Sequence, residues 1–483
     1  MRQFEIVSQG IQHAIHNGRF GAGTTLPSER LTAQEYGVSR STVRRAWREL
    51  EATGYLIWLE DSSPIVAHRS EWSRRVERTD VGRLASNLGP TFLGDLMQAA
   101  VSHIRYNFEI GTPDPDLLPM ADFHHILGEL FSSPASEVFG YSPTIGLERV
   151  RRAIAEEYLS RRGLCPPIDQ ILVTAGSLQG LDLLTRLWVR PGDLVVTESP
   201  TFAGALHVFR AHGARILGIP MDPFGLRTDL LESQCRSLSP RLIYVQPVAH
   251  NPTGITMAPE RRQALVEWAM KTGVPIIEDD AYGFLAGPDN PSLMTVNPAA
   301  PLVHLNTFSK VLAPGIRVGC VVAPHDVIRQ LASLKQLSDL HTGTLSQLVA
   351  EGWLRQGQVD RHIQRAQTLY GSRLKAATNL LVRDNTFRLF AEPRQGFYLF
   401  VRLPHGMRAQ ALHQPARDRE VLFAVGDPFS PAQDMPDWIR LAVSARPVTQ
   451  IETGLRRLLR LVHDHAEPGS CGPSEKTKSP PRS

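Results

Sequence analysis

LNTFSKVLAPGIRVG, residues 305–319, sets Lys310 a few positions past a short apolar run and Arg317 seven residues beyond it. The apolar run 302–305 has the length and composition of a buried strand, which puts the lysine at the carboxyl edge of a sheet. A lysine there forms a Schiff base with an aldehyde cofactor if neighbouring groups lower its pKa. Thr307, Ser309 and Arg317 are spaced to surround a phosphate, two hydroxyls beside a planar guanidinium fork. Alone, this run reads better as a surface loop, so the meaning of Lys310 rests on what precedes it.

Upstream, from Tyr106 onward, short Val/Ile/Leu runs alternate with longer amphipathic stretches. That is the pattern of βα repeats around a mainly parallel sheet. The runs 194–197, 242–245, 274–277 and 302–305 each read as a buried strand that ends in polar residues. VPIIEDDAY (274–282) sets Asp279 at such an end, where a carboxylate can hold a protonated pyridine nitrogen, and Tyr282 three residues on, where its hydroxyl can reach a phenolic oxygen. HNPTG offers Asn251 as a second donor to that oxygen, in a turn shaped by Pro252 and Gly254. TAGSLQGLDLL begins a helix at Gly176 and Ser177, whose backbone N–H groups and dipole suit a phosphate. Phe202, in ESPTF, can stack on a flat ring. Tyr141, in YSPTIG, can donate to a phosphate. Each piece has an ordinary alternative: a plain turn for NPTG, a solvated strand end for the acidic run, a core side chain for Phe202.

Together, in this order and at these separations, the motifs resemble the fold-type I aminotransferases from about residue 106 to about residue 463. The resemblance implies pyridoxal 5'-phosphate held as an internal aldimine on Lys310, with Asp279 on the ring nitrogen and Asn251 and Tyr282 on the phenolic oxygen. It implies that Gly176, Ser177, Leu178, Thr307, Ser309 and Arg317 hold the phosphate, and that Tyr141 reaches the phosphate of a partner subunit, which makes the chain a homodimer. It further implies that Arg440, in WIRLAVSA after GFYLF, clamps an α-carboxylate, and that IGTPDPDLLP, with Gly111, covers the small-molecule effector. A salt-bridged strand arginine is the ordinary alternative for Arg440.

The stretch LPSERLTAQEYGVSRSTVRRAWRELEATGYL, residues 26–56, carries two helical patterns and a tight turn at Gly37. Pro27 and Ser28 start the first helix, and Ser39 is a good N-cap for a second running from Arg40 towards Thr53. Val43, Ala46, Trp47 and Leu50 fall on one face and pack inward; Arg40, Thr42, Arg44, Arg45 and Arg48 are left for the outside. In a helix-turn-helix the start of the second helix reaches base edges, so Ser39, Arg40, Thr42 and Arg44 are the readers and Arg30 a phosphate contact. The plain alternative is a solvated Arg-rich helix. The stretch resembles the winged helix-turn-helix of GntR-type regulators over some fifty residues, on Leu26-Pro27-Ser28-Glu29-Arg30 and Val38-Ser39-Arg40. The wing departs from that pattern: WLEDSSPIVAHR has two acids and no glycine, which predicts weak wing contact with DNA. Arg74, Arg75 and Arg78 read as a solvated linker.

The whole is a multidomain chain: a winged helix-turn-helix over 1–69, a linker over 70–105, an α/β aminotransferase-like domain over 106–465, and a disordered tail rich in Pro and Ser over 466–483. The 483 residues include 42% hydrophobic and 21% charged ones, an ordinary globular composition, and a net charge of +4 that permits double-stranded DNA as partner without demanding it. The four cysteines show no metal spacing, and no secretory signal or membrane-spanning run is present, so a cytoplasmic protein without a metal site is expected. A GntR-like domain fused to an aminotransferase-like one resembles the MocR family of bacterial regulators along nearly the whole chain. The resemblance implies a pyridoxal phosphate-dependent transcription regulator that senses the cofactor, or an amino compound, through Lys310. Two other readings stay open: a working aminotransferase with an accessory DNA-binding domain, and a DNA-binding protein whose large domain is only a dimerisation scaffold.

Overall fold

The computed structural model describes residues 3–16, 19–21, 23–52, 55–58, 63–67, 103–236, 238–287, 290–404 and 406–466. The chain divides into two compact units, Met1–Thr91 and Phe92–Ser483. The expected linker arginines Arg74, Arg75 and Arg78, most of the 70–105 linker, and the tail beyond Ala466 lie outside the described residues.

In the first unit, α1 (Gln3–His16), α2 (Glu29–Tyr36) and α3 (Arg40–Ala52) surround a small core, and β1 (Leu56–Ile57) pairs antiparallel with β2 (Ile65–Val66). Ser28 caps α2 by accepting from the Leu31 N–H, and Gly37 closes it in the left-handed region at φ 62°, the conformation a sharp stop requires. Ser39 then accepts from the Thr42 N–H and starts α3. The face of α3 made by Val43, Ala46, Trp47 and Leu50 is buried against Val7, Ile11 and Leu26, as its spacing predicts. Residues 59–62, which hold the two acids of the expected wing, lie outside the described residues.

The second unit has two sheets. The larger is ordered β4 (Ile171–Thr174), β11 (Gly319–Val322), β10 (Leu302–Thr307), β9 (Ile276–Asp279), β8 (Leu242–Val245), β5 (Leu194–Ser199), β6 (Arg215–Asp222), β7 (Gly225–Leu226). From β10 to β6 every pairing is parallel; β11 runs against both its neighbours, and β7 against β6. Successive residues turn to opposite faces: Val195, Leu242, Tyr244, Ile277 and Leu305 pack under the helices Ser177–Trp188 and Ala203–Ala211, while Val196, Ile243, Val245 and Ile276 pack under Pro259–Thr272. A strand covered on both faces reads as a continuous apolar run, and each fully buried aliphatic side chain contributes about 1.5–3 kcal/mol. The run at 274–277 begins pairing two residues late, at Ile276, since Pro275 has no N–H to give the ladder.

The smaller sheet is ordered β12 (Arg388–Leu389), β13 (Tyr398–Arg402), β15 (Trp438–Ala442), β14 (Val421–Val425), β3 (Tyr106–Phe108). The helices Val359–Asp384 and Val448–Ala466 cover it with Leu374, Leu381, Leu455 and Leu458. Among the described residues no helix is long and apolar enough to cross a membrane.

Candidate functional site

The ends of β4, β10, β9, β8 and β5 share one edge of the larger sheet, the edge at which ligands enter open α/β sheets. Lys310 follows β10, half-buried, and its ammonium donates to the Gly111 carbonyl at 2.6 Å. Gly111 lies so close to Tyr398 that a Cβ there would sit 2.1 Å from the tyrosine oxygen. Tyr398 and Tyr282 share a hydrogen bond of 2.7 Å, and the Arg440 guanidinium lies between the rings of Tyr398 and Phe429 at 4.6 and 4.8 Å. Arg440 donates to Asn251 Oδ1 at 2.9 Å and to the Glu109 carbonyl. The Asn251 N–H donates to Gln246 Oε1 at 3.0 Å, and Gln246 Nε2 donates to Asp279 Oδ2 at 3.2 Å. One unbroken chain of contacts thus joins Lys310, Gly111, Tyr282, Arg440, Asn251 and Asp279.

Asp279 has two unlike oxygens. Oδ2 also accepts from the Tyr244 hydroxyl at 2.5 Å, whereas Oδ1 is buried with no hydrogen-bond partner among the described residues. Burial raises the Asp279 pKa above its ordinary value, although the bonds from Tyr244 and Gln246 pull the other way. An orphaned buried acceptor is costly unless a donor arrives, and a protonated pyridine nitrogen is such a donor. Burial pushes the Tyr282 and Tyr244 hydroxyls well above their usual range and lowers the Arg440 guanidinium.

A second group sits beside the lysine. Arg317, held at φ 50°, donates to Ser309 Oγ at 3.1 Å and to the Ala175 carbonyl at 3.0 Å; the Ser309 N–H donates to Thr307 Oγ1 at 3.2 Å. Gly176 precedes the helix Ser177–Trp188 at φ 89°, and a Cβ there would meet Arg317 Nη2 at 2.8 Å. Ser177 and Leu178, half-buried, open that helix. The set is two hydroxyls, a guanidinium and a helix start, which is the chemistry of a phosphate site. Two expected residues make none of these hydrogen bonds. Phe202 lays its ring over Gly204, and Tyr141 is 90% exposed, its ring meeting His341 edge-on at 5.7 Å.

On α3 the outward residues divide by engagement. Ser39 is the N-cap, with Thr42 Oγ1 2.8 Å from its hydroxyl. Arg44 makes a bidentate pair with Glu29 of α2 at 2.8 Å for both bonds, and Arg45 lies 4.2 Å from the ring centroid of Phe4. Arg30, Arg40 and Arg48 are exposed.

Tyr244, Gln246 and Tyr398 escaped the sequence reading. Tyr244 and Tyr398 lie in runs that look like core strand, and their hydroxyl partners are 35 and 116 residues away. Gln246 did carry a signal: it is polar and directly follows a strand at the carboxyl edge.

Residues 125–458 match the family model of aminotransferase class I and II, and residues 4–63 that of the bacterial regulatory proteins of the gntR family. The chain is 30% identical over 465 residues to the uncharacterised HTH-type transcriptional regulator YisV of Bacillus subtilis, covering 93% of this chain and 94% of that one. It is 31% identical to aromatic-amino-acid aminotransferase 1 of Thermococcus litoralis over 73% of this chain and 87% of that one. The kynurenine aminotransferase of Pyrococcus horikoshii, solved with PMP, superposes with a TM-score of 0.75 at 28% identity, covering 80% of this chain and 99% of that one. Two fused domains, each matched by its own family, and a regulator relative aligned across both make this chain a member of the MocR-type regulators, a GntR helix-turn-helix joined to an aminotransferase class I and II domain.

Proposed function

We propose that the protein binds operator DNA through α2 and α3 and senses pyridoxal phosphate, alone or joined to an amino compound, at Lys310. The observation that carries this reading is that an intact cofactor constellation, from Lys310 to the orphaned Asp279 oxygen, shares a chain with a properly capped helix-turn-helix. Bound pyridoxal phosphate supplies an aldehyde carbon that condenses with amines and a ring that draws electrons from them. The residues of this chain do the rest. Lys310 holds the cofactor covalently. Asp279 Oδ1 takes the ring N–H, Asn251 and Tyr282 hold the phenolic oxygen, and Phe202 stacks on the ring. Gly176, Ser177, Leu178, Thr307, Ser309 and Arg317 hold the phosphate. Arg440 receives the carboxylate of an amino-acid effector beneath the Gly111 loop. Ser39, Arg40, Thr42, Arg44 and Arg45 face the DNA, with Arg30 on a phosphate; Arg44 exchanges Glu29 for that contact.

The reading includes a homodimer. Phe131 stacks on Phe139, Tyr141 meets His341 beside Leu340, and Leu337 is 83% exposed, an apolar surface that a second copy would cover while bringing Tyr141 to its neighbour's phosphate.

A ligand shifts the arrangement of DNA-binding domains only through unequal affinity for two arrangements. Anisotropy of the DNA upstream of its own gene, at fixed salt, with and without pyridoxal phosphate, tests the reading. Binding that resists competitor DNA and moves with the cofactor is expected. The Lys310→Ala variant should lose the cofactor's protein-bound absorption band, and a band that persists refutes the assignment. The same residues serve an aminotransferase, a reading favoured by the 31% identity to the Thermococcus litoralis enzyme. Steady turnover of amino donors and keto acids, with DNA binding no tighter than to random sequence, would replace the regulator with that enzyme.

A further inference from the structure

Lys335 is fully buried on the helix His325–Asp339, outside every contact described so far. A lysine in that position forfeits hydration and needs each of its donors satisfied. It donates to Asp339 Oδ1 at 2.9 Å, to Asp339 Oδ2 at 2.7 Å and to Gln179 Oε1 at 3.0 Å. Burial lowers the Lys335 pKa, and Asp339 opposes the shift.

Gln179 is the relay. Its Nε2 donates to Asp339 Oδ2 at 2.7 Å, and its Oε1 accepts from the Ala175 N–H at 2.8 Å. The amide can face only one way, because a carboxylate demands the NH2 end while an ammonium and a backbone N–H demand the oxygen. Ala175 is therefore gripped at both polar atoms, its N–H by Gln179 and its carbonyl by Arg317. The next residue, Gly176, is bent to φ 89° to begin the phosphate-facing helix start. Glycine is free to leave that conformation, so something outside the turn must hold it.

We propose that Lys335, Asp339 and Gln179 are positioning residues that hold the Ala175–Gly176 turn, and with it Arg317, in the geometry that receives the cofactor phosphate. None of the three is among the residues assigned to the cofactor. Their effect is confined to the phosphate end, because Lys310, Asp279 and Asn251 are tied through a separate chain of contacts. The inference rests on the assignment of pyridoxal phosphate to Lys310.

That separation dictates the experiment. Full-length protein is titrated with pyridoxal phosphate and with pyridoxal, which has the same aldehyde and ring but no phosphate, and the absorption band that depends on Lys310 is followed. Lys335→Met and Gln179→Ala should each weaken pyridoxal phosphate by about tenfold, the loss of one charge-assisted contact, while pyridoxal affinity stays within about twofold. Gln179 is half-buried, so Gln179→Ala decides the matter if Lys335→Met does not fold. Folded variants that keep the wild-type preference for the phosphorylated ligand would overturn the positioning role alone. Wild-type protein that forms no band with either ligand would overturn the cofactor assignment, and this inference with it.

Discussion

Behind Asp279, on either side of it in the chain, Glu278 and Asp280 point into a fully buried charge cluster. His304 lies 3.0 Å from Glu278 Oε2 and 3.8 Å from Asp280 Oδ2, and Arg162 pairs with Asp280 at 2.8 Å. Burial alone would lower the His304 pKa, but the hydrogen bond and charge of Glu278, with Asp280 added, raise it above 6.5 against the opposing charge of Arg162. Burial alone would raise Glu278, but His304, Ser292 and the Leu293 N–H hold it down to about 2. The signs differ. The His304 contribution is complete below the ordinary histidine pKa and is lost as pH climbs through the raised one; that of Glu278 is complete above the ordinary carboxylate range and is lost as pH falls towards about 2. Melting temperature against pH should therefore fall on both sides of a plateau, and His304→Gln should flatten the alkaline limb. An alkaline limb identical in both proteins would remove the cluster from the account.

At the scale of the element, α3 is a helix with two jobs. Its inward face is closed by Trp47 and Leu50, its N-terminus is capped by Ser39, and the Gly37 stop of α2 precedes it, so local contacts fix its start. Its outward arginines are not equivalent. Arg44 is already paired with Glu29 and Arg45 rests on Phe4, whereas Arg40 is exposed at the helix start, where base edges are read. Arg30, on α2, is exposed, and on the proposed reading it contacts the DNA backbone. Arg40→Ala should relax sequence preference at one base pair, costing about 1–3 kcal/mol there; Arg30→Ala should weaken all sequences alike and reduce the salt slope by about 1. Anisotropy over a salt series with operator and scrambled DNA separates them, and equal loss on both DNAs for both variants would sink the division.

Across the whole molecule, the exposed apolar side chains Phe131, Phe139, Leu337 and Leu340, assigned above to the proposed dimer interface, make the prediction with the widest reach. Sedimentation should give the mass of two chains. Leu337→Glu buries a charge in the proposed interface and should shift the protein towards single chains, with cofactor affinity reduced by about tenfold as the neighbour's Tyr141 is withdrawn. Single chains for the wild type would mean that Tyr141 has no neighbour to serve.

Strands and caps were legible because their signals are local. Apolar runs bounded by polar residues located β5, β8 and β10, and placed Lys310 past β10 and Asp279 at the end of β9; Ser28, Gly37 and Ser39 marked the helix ends of the first unit. Side-chain direction was not legible, because it depends on the strand order of the sheet. Only the fold brings Arg440 to Asn251, 189 residues away, and Tyr244 to one oxygen of Asp279 while leaving the other bare. Lys335 is the plainest case. In the sequence it is one more charge on an amphipathic helix, and only packing buries it against Gln179, 156 residues earlier, where an ammonium without partners could not stay. Local periodicity and capping lie within a few residues and survive in the sequence, whereas the pairing of buried polar atoms is a property of neighbours that the chain brings together only when folded.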